Sequence, residues 1–453
     1  MGRLIVSVSG VRGTVDDVLN AEIAEQFGRA FATMLGAGRT IALGRDTRAS
    51  GAMLRDAIVA GLAAGGVNVV DLGVISTPGV ALMIKRLGAD GGVVITASHN
   101  PLPYNGIKFM TPEGLGLPAG QAEQLKAIWE SGKFSTAERS GTVTKDDRTA
   151  GLHVQAVLDV VDVAAIRQRK FKVVLDSING AGCVEGSMLL RELGCAAVQI
   201  NGEPTGEFAH TPEPREENLT GLCDVLREEG ADVGFAQDPD ADRLAIVDEN
   251  GTYIGEEYTC TLTAAFVLRQ RKGDIAANLS TTRMMDDVAA AAGVKVVRTP
   301  TGEANVVAAM LAHGCIFGGE GGGGAIDPRV VAVRDSLVGM ALMLNYMAET
   351  GRTVSALVDA IPRYEMVKDK FACPMAAAPR ILAAVKAAYA GRKGAQVNDV
   401  DGIRVDLPEG WVQVRASNTE PIMRITAEAP PGGEASRLAA EARAIADGIL
   451  KEG

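Results

Sequence analysis

Short apolar runs alternate with helical patterns along most of the chain, and this alternation restricts the fold to the α/β class. The series begins with TIALG (40–44), VNVVDLG (67–73) and GGVVITA (91–97), which helical spacing separates. The pattern restarts near residue 172 with KVVLDS and again near residue 274 with DIAANLS. Strands that helices connect in this way pair in parallel, with helices on both faces of the sheet. The sequence therefore predicts three similar mixed α/β domains.

The last part of the chain follows a different order. After about Pro362, three strand patterns come almost directly after one another, at 401–407, 411–417 and 421–429. Consecutive strands with little helix between them predict a smaller C-terminal α+β domain. The expected domain bounds are 1–150, 151–252, 253–364 and 365–453.

Composition and charge exclude several classes of protein. Hydrophobic residues make up 47% of the chain and charged residues 22%, which is typical of a folded globular protein. A net charge of -11 argues against a nucleic-acid surface. No apolar run has the length of a membrane span, the start of the sequence does not read as a signal peptide, and the six cysteines form no C-x-x-C pair. We expect a cytoplasmic protein with no nucleic-acid or membrane partner, either a monomer or a dimer.

The first loop with chemical potential is TASHNP (96–101), directly after a predicted strand. Ligands of open α/β sheets gather at the carboxyl ends of strands, so Ser98 stands where a ligand is expected. A serine hydroxyl can carry a phosphoryl group as a covalent intermediate. An Asn-Pro turn with a capping serine is the alternative, and this loop alone does not decide between them.

The second loop is DPDADR (238–243). Asp238, Asp240 and Asp242 offer three carboxylates at alternating positions, which suit a hard cation such as Mg²⁺ or Ca²⁺. An EF-hand is the obvious competitor, since Glu249 falls at the twelfth position. Arg243 stands where an EF-hand needs glycine, and LAIVD after it reads as a strand rather than a helix. An exposed acidic turn without metal remains the other interpretation.

The third loop is GGEGGGG (318–324). It contains a formal G-x-G-x-x-G, but Asp327 and Pro328 follow where a dinucleotide site needs a helix. A better interpretation is a glycine-rich wall around Glu320, whose carboxylate could accept hydrogen bonds from two sugar hydroxyls. A flexible surface loop is the alternative.

The fourth loop is RASNTEP (415–421), between two predicted strands. The guanidinium of Arg415, the hydroxyls of Ser417 and Thr419, and the amide of Asn418 make a suitable phosphate cradle. Taken alone, the segment is also compatible with an ordinary polar hairpin loop.

In this order along nearly the whole chain, the four loops resemble those of the α-D-phosphohexomutase family. TASHNP is similar to the family's phosphoserine loop, DPDADR to its metal loop, GGEGGGG to its sugar-recognition loop and RASNTEP to its phosphate-binding loop. Shorter segments around Arg12, at 44–48 (GRDTR) and at 210–214 (HTPEP) also fit. The resemblance implies four domains around a central cleft, the first three of them similar α/β units.

The resemblance also implies a reaction. Ser98 would carry a phosphoryl group in the resting enzyme, and one Mg²⁺ per chain would be bound by Asp238, Asp240, Asp242 and a phosphoserine oxygen. The phosphoryl group would pass to the free hydroxyl of a hexose monophosphate, a small-molecule sugar phosphate. The resulting hexose 1,6-bisphosphate, which also serves as activator, would return its other phosphoryl group to Ser98.

Several charged and polar side chains receive roles from the same resemblance. Lys108 and Arg243 would supply positive charge on the donor side of the transfer. The implied substrate-binding residues are Arg12, Gly302, Glu320, Gly322, Arg415, Ser417, Asn418 and Thr419.

One departure from the family pattern concerns the sugar loop. Relatives often carry Ser and His where this chain has Gly322 and Gly324, so a histidine acid or base at that place is absent. His99 and Lys108 are the remaining candidates for proton transfer. The glycine-rich loop resembles the archaeal-type phosphoglucosamine mutase subgroup, which predicts glucosamine 6-phosphate and glucosamine 1-phosphate as the substrate pair. Mannose and glucose phosphates remain open, as does a non-catalytic sugar-phosphate-binding protein of the same fold.

Overall fold

The computed structural model describes residues 4–7, 10–417 and 421–451. The chain divides into two compact units. The longer unit consists of Met1–Val267 and Gly322–Val358, and the shorter unit of Leu268–Gly321 and Asp359–Gly453.

The longer unit begins with a seven-stranded sheet in the order β1-β2-β6-β5-β3-β4-β7. Its strands are β1 (Ile5–Ser7), β2 (Gly10–Thr14), β3 (Thr40–Arg45), β4 (Asn68–Val74), β5 (Gly91–Ile95), β6 (Tyr104–Met110) and β7 (Val143–Lys145). Its helices are α1 (Ala21–Leu35), α2 (Gly51–Ala64), α3 (Thr77–Leu87) and α4 (Ala119–Ser131). As the sequence predicts, β3 pairs in parallel with β4 and β5. Strand β6 was not predicted, and it pairs antiparallel with β5.

The core of this sheet explains why the helical patterns pack as they do. Phe27 and Phe31 lie on the buried face of α1, and the ring of Phe27 stacks on Trp129 of α4 with centroids 4.7 Å apart. Helices α1 and α2 approach closely at Gly28 and Gly61, since a Cβ at Gly28 would lie 3.2 Å from the Gly61 Cα. Glycine is therefore needed at this crossing for packing rather than for backbone freedom.

A second sheet in the longer unit has the order β11-β10-β8-β9. Its strands are β8 (Lys172–Asp176), β9 (Ala196–Ile200), β10 (Val233–Gln237) and β11 (Leu244–Val247), with helices α5 (Thr149–Leu158), α6 (Val163–Arg169), α7 (Gly182–Glu192) and α8 (Thr220–Glu229). A short 3₁₀ helix spans Glu216–Asn218. Strands β10 and β11 are antiparallel and fully buried, and the turn that joins them carries the three predicted metal ligands.

The next segment contributes to both units. Its elements are α9 (Glu256–Gln270), β12 (Ile275–Asn278), α10 (Met284–Ala292), β13 (Val296–Thr299), α11 (Glu303–His313), β14 (Phe317–Glu320), β15 (Gly324–Ile326), α12 (Ser336–Thr350) and α13 (Val354–Val358). In the shorter unit, β12 pairs in parallel with both β13 and β14. Strand β15 and helices α12 and α13 belong to the longer unit.

The C-terminal part of the shorter unit is an antiparallel sheet in the order β16-β20-β19-β18-β17. Its elements are β16 (Glu365–Ala372), α14 (Ala378–Ala390), β17 (Gln396–Asn398), β18 (Ile403–Leu407), β19 (Gly410–Ala416), β20 (Ile422–Ala429) and α15 (Glu434–Lys451). One face of this sheet packs on α14 and α15 around a shared apolar core. The predicted fold class, three α/β domains followed by an α+β domain, is confirmed.

Within the described ranges, no single helix is both long and apolar enough to cross a membrane. Helices α5 and α6, bent by 89° at their junction, meet the length and composition test only as a pair.

A buried charged network joins three segments of the longer unit. His153 of α5 places Nδ1 2.8 Å from Glu185 Oε1 and Nε2 2.8 Å from Asp335 Oδ2, and all three side chains are fully buried. Glu185 also accepts the backbone N–H of Ser76, and Asp335 accepts that of Leu337. Burial alone would lower the pKa of His153, but Asp335 and then Glu185 outweigh it and raise the pKa to about 10. The network thus ties a charged imidazole to the starts of α3 and α12.

Replacing His153 with glutamine should destabilise the protein by about 3–5 kcal/mol near neutral pH, because two buried carboxylates lose their cation. A histidine whose pKa is raised by folding stabilises fully below its unfolded pKa of about 6.5. That stabilisation is lost as the pH rises toward about 10. Urea denaturation of wild type and variant at several pH values measures the difference, which should shrink between pH 7 and 10. His313→Gln, at an exposed position of α11, is the control, and a difference independent of pH would contradict the assignment.

Candidate active site

The predicted nucleophile lies where β5 ends. Strand β5 stops at Ile95, and Ser98 follows three residues later with a φ of 48°, in the left-handed region that non-glycine residues rarely adopt. The Ser98 N–H donates to Thr96 Oγ1 at 2.9 Å, and its buried hydroxyl donates to Asp238 Oδ2 at 2.7 Å. The loop therefore aims the Ser98 hydroxyl at the acidic turn of the second sheet.

A single buried guanidinium fixes the shape of this loop. Arg48 follows β3, the parallel neighbour of β5, and its side chain has no exposed surface. Its Nη2 donates to the carbonyls of Ser98 and Asn100 at 2.6 Å each, its Nη1 to the Tyr104 carbonyl at 2.9 Å, and its Nε to Asp46 at 3.0 Å. One planar donor set thus spans both ends of the loop.

Loss of the four hydrogen bonds that Arg48 donates should slow the reaction more than it weakens substrate binding. We expect Arg48→Ala to lower kcat by about 10²-fold, because a displacement of about 1 Å at a reacting group costs that much. Arg48→Lys should recover little, since lysine cannot donate in four fixed directions, whereas millimolar guanidinium ion should partly rescue Arg48→Ala. Steady-state kinetics with and without guanidinium tests this. Arg55→Ala, which breaks the ion pair between Arg55 of α2 and Asp71 of β4, is the control, and equal rescue of both variants would contradict this role of Arg48.

The acidic turn between β10 and β11 brings its three carboxylates together. Asp238, Asp240 and Asp242 are buried, and one oxygen from each lies within 4.8 Å of the others. Among the described residues, nothing donates a hydrogen bond to Asp240 Oδ1 or Asp242 Oδ1. Burial, followed by the charges of Asp240 and Asp242, raises the pKa of Asp238 well above its usual range. Three clustered hard oxygen ligands, two of which keep an oxygen that accepts no hydrogen bond from the described residues, fit a divalent ion such as Mg²⁺.

The starts of two helices hold this turn. The Thr77 hydroxyl of α3 donates to Asp240 Oδ2 at 2.6 Å, and the Thr77 N–H donates to the Asp240 carbonyl at 3.0 Å. The Ser336 hydroxyl of α12 donates to the carbonyl of Ala241, which has a φ of 55°. These are the same two helix starts that the His153 network joins.

Three cations surround the carboxylates. Lys108 Nζ lies 2.7 Å from Asp240 Oδ2 and 3.7 Å from Asp242 Oδ2. Arg334 Nη2 lies 2.7 Å from Asp242 Oδ2, and Arg243 Nε lies 3.9 Å from Asp242 Oδ1. Burial acts to lower the pKa of Lys108, but attraction to Asp240 and Asp242 outweighs it and raises the pKa. Fixed positive charge of this kind suits the binding of a phosphoryl group.

His99 lies beside the nucleophile, with Nδ1 3.3 Å from Ser98 Oγ. Burial, followed by the charges of Arg243 and Arg12, lowers the pKa of His99 to about 2. A neutral imidazole beside the nucleophile can orient its hydroxyl or accept a proton from it. Arg12 itself donates to the side chain of Asn100 at 2.7 Å, so it stands at the outer end of the same loop.

The predicted sugar-binding carboxylate is held rigidly in the shorter unit. Glu320 ends β14, and its Oε1 accepts hydrogen bonds from Asn278 Nδ2 at 2.7 Å and from the Gly302 N–H at 3.1 Å. Gly302 has a φ of 118°, which favours glycine. Gly322 belongs to the longer unit, where a Cβ would lie 3.6 Å from Arg243 Nη1.

The predicted phosphate loop follows β19. Arg415 is half-buried near the end of this strand, and burial lowers its pKa, although a guanidinium stays charged at any physiological pH. Ser417 is buried, and its N–H donates to the Ile422 carbonyl at 2.9 Å. The predicted ligands Asn418 and Thr419 lie outside the described residues.

Several residues that shape these sites carry no sequence signal for their role. Arg48 belongs to the GRDTR segment, which fits the family pattern but indicates no function by itself. Thr77 and Arg334 contact the acidic turn from residues 163 and 92 positions away in sequence, so no local spacing indicates them. Asn278, which donates to Glu320, lies at the end of a predicted strand. That position is the one feature of the sequence that indicates a place in the site.

Comparisons with known proteins match the whole architecture. Models of the phosphoglucomutase/phosphomannomutase alpha/beta/alpha domains I, II and III match residues 3–136, 152–251 and 255–364, and the model of the C-terminal domain matches 366–445. A phosphoglucomutase/phosphomannomutase of Thermococcus kodakarensis is 40% identical over 95% of each chain. A probable phosphoglucosamine mutase of Methanopyrus kandleri is 38% identical over 97% of this chain and 96% of its own.

Among solved structures, a phosphoglucomutase/phosphomannomutase family protein from Burkholderia thailandensis superimposes with a TM-score of 0.87 at 28% identity, covering 98% of this chain and 97% of its own. Sequence identity over nearly the full length, the four domain matches and the clustered aspartates agree with one another. The chain therefore belongs to the α-D-phosphohexomutase family and is a phosphohexomutase.

Proposed function

We propose that this phosphohexomutase interconverts glucosamine 6-phosphate and glucosamine 1-phosphate through a phosphorylated Ser98. The observation that carries the proposal is the 2.7 Å contact between Ser98 Oγ and Asp238, within a buried acidic turn surrounded by cations. A serine in this setting can accept a phosphoryl group and release it again, because positioning and charge stabilisation supply most of the catalysis of phosphoryl transfer. The proposed domain bounds stay at 1–150, 151–252, 253–364 and 365–453.

The proposed transfer is balanced at each step. The phosphorus bound to Ser98 Oγ forms a bond to the free hydroxyl oxygen of the hexose monophosphate while its bond to Oγ breaks. The proton of the sugar hydroxyl passes in net terms to Ser98 Oγ. In the return step Ser98 Oγ attacks the other phosphoryl group and gives up its proton, and the sugar oxygen that leaves takes up a proton. Lys108 and Arg243 face the negative charge that spreads over the phosphoryl oxygens. His99, held neutral, positions the Ser98 oxygen.

Asp238, Asp240 and Asp242 would hold one Mg²⁺. When bound, the ion neutralises charge on the transferring phosphoryl group and allows all three carboxylates to ionise. Arg415, Ser417, Asn418 and Thr419 would bind the phosphate that does not react, and Arg12 and Gly322 would contribute on the side of Ser98.

Two observations support the amino sugar. Relatives between 32% and 38% identical over nearly the whole chain are named probable phosphoglucosamine mutases. Glu320 is a carboxylate in a loop of glycines, so besides accepting hydrogen bonds from sugar hydroxyls its charge would favour a substrate that carries an ammonium group at C2. Gly302 would act by holding Glu320 in place. Glucose and mannose phosphates are the alternative, because a relative at 40% identity is named for them.

Coupled assays with glucosamine, mannose and glucose 6-phosphates test this proposal. We expect kcat/KM for the amino sugar to exceed the other two by at least about 10-fold, the size of one charge-assisted contact. Glu320→Gln keeps the shape of the side chain and removes its charge, so it should erode this preference. Faster turnover of mannose or glucose 6-phosphate would overturn the sugar assignment, and binding of sugar phosphate without any turnover would indicate a non-catalytic binding protein.

A further inference from the structure

Gly324 makes room for one particular side chain. It lies in β15, and its φ lies outside the left-handed region, so its backbone does not require glycine. A Cβ at position 324 would instead lie 2.7 Å from Arg334 Cγ and closer still to Arg334 Cδ. The space that any side chain at position 324 would need is thus filled by the aliphatic part of Arg334.

Arg334 is fixed at its base and directed at the acidic turn. The next residue, Asp335, caps α12, its N–H donates to the Ala325 carbonyl at 2.9 Å, and its carboxylate contacts His153. From this anchored position Arg334 reaches Asp242 Oδ2 with Nη2 at 2.7 Å, and 15% of its side chain is exposed. The guanidinium therefore lies between buried protein and solvent at the edge of the cluster.

The surrounding charges show where the guanidinium acts. Lys108 Nζ lies 3.7 Å from the same oxygen of Asp242. The Ser98 hydroxyl donates to Asp238 of the same acidic turn at 2.7 Å. Arg334 therefore contacts, through Asp242, the turn that the nucleophile also contacts.

We propose that Arg334 is a phosphoryl-binding residue of this mutase, and that Gly324 is required because the Arg334 side chain passes over it. This inference rests on the phosphoryl-transfer role proposed for Ser98 and the three aspartates. A phosphoryl group bound between Ser98 and the three aspartates would place its oxygens beside the Arg334 guanidinium, which contacts Asp242 in this structure. Arginine suits this position because its planar fork pairs with phosphate and stays charged at any pH at which the protein works.

The inference predicts that the two substitutions are coupled. Arg334→Ala should lower kcat by about 10³-fold, the lower end of the range for an arginine that stabilises a transferring phosphoryl group. Gly324→Ala should cause a similar loss, because the new methyl group displaces Arg334. In the Arg334→Ala background, Gly324→Ala should have almost no further effect, which makes the double-mutant cycle strongly non-additive. Arg334→Lys should recover part of the loss, since it keeps the charge but not the fork.

Two control variants account for the substitutions themselves. Gly151→Ala adds a methyl group in open space on α5, and Arg191→Ala removes a side chain that is 70% exposed on α7. Both should leave kcat and the urea midpoint unchanged. A binding readout that does not depend on turnover uses Ser98→Ala protein with glucose 1,6-bisphosphate in calorimetry. Adding Arg334→Ala should weaken that affinity by at least about 10-fold, as expected for one charge-assisted contact.

The results distinguish a failure of this inference from a failure of the function on which it rests. Additive effects of the two substitutions, or unchanged bisphosphate affinity without Arg334, would overturn the role of Arg334 even if Ser98→Ala is inactive. Full activity of Ser98→Ala would overturn the proposed function and this inference together. An inactive Ser98→Ala, a coupled cycle and weakened bisphosphate binding would establish Arg334 as part of the phosphoryl site.

Discussion

Replacing Ser98 with alanine should lower mutase kcat by on the order of 10⁴-fold or more, because the covalent route loses its only proposed carrier. The substitution removes one hydroxyl that donates a hydrogen bond to Asp238, and Arg48 still holds the backbone of the loop, so the fold should persist. Wild-type protein incubated with hexose 1,6-bisphosphate should carry one added phosphate by intact-mass spectrometry, and the variant should carry none. Coupled assay and mass measurement on the same preparations test both statements.

Ser140→Ala, at an exposed position of the chain segment before β7, is the matched control and should keep wild-type activity and mass behaviour. Wild-type kcat in Ser98→Ala would mean that Ser98 is a turn residue. The phosphoryl carrier would then have to be sought elsewhere in the chain.

Two substitutions in the acidic turn should abolish activity alike yet move the stability of metal-free protein in opposite directions. Asp238→Asn removes a carboxyl group whose pKa is raised by burial and by Asp240 and Asp242. In EDTA the substitution should therefore stabilise the folded protein by about 1–2 kcal/mol. Asp240→Asn removes the partner of Lys108 and Thr77, so it should destabilise by about 2–4 kcal/mol. Urea denaturation in EDTA measures both changes.

The pH dependence of the free energy of unfolding is a separate check on the sign of the Asp238→Asn effect. An acid whose pKa is raised by folding destabilises the native state increasingly as the pH rises above its unfolded pKa of about 3.9. The benefit of Asp238→Asn should therefore grow from pH 4 upward in metal-free protein. With Mg²⁺ at 100 times its Kd, wild type should gain about 2.7 kcal/mol and Asp238→Asn much less. Equal stabilisation of both by Mg²⁺, or loss of stability in Asp238→Asn, would contradict the metal site.

The sequence predicted most strands because their signal is local. The apolar run at 91–97 forms β5 (Gly91–Ile95), whose residues are all buried, and such a run can be recognised in the sequence without knowing its partner strands. No strand is predicted at β6, because Asn105 and Gly106 within it are typical turn residues. In the structure Gly106 is required for close packing instead, since a Cβ there would lie 2.7 Å from the Thr96 carbonyl oxygen.

The sequence predicts the four loops of the candidate site one by one. It does not predict which side chains of different segments contact one another. Asp238 is 140 residues from Ser98, and only their order along the chain and the family likeness suggested a common site. Arg48 and Arg334 remained unassigned because their contacts depend on which strand ends and helix starts become neighbours. The lowered pKa of His99 could not be predicted from the sequence either. Burial and nearby arginines that are distant in sequence cause it.

The role of Ser98 as phosphoryl carrier is tested most directly by following one phosphoryl group. Protein is first phosphorylated with radiolabelled phosphate from hexose 1,6-bisphosphate, freed of excess reagent, and mixed with unlabelled hexose 6-phosphate in the presence of Mg²⁺. If Ser98 is the carrier, the label leaves it within a single turnover and is recovered in the sugar bisphosphate and the monophosphate product. Label that stays on the protein while product accumulates would contradict transfer through Ser98.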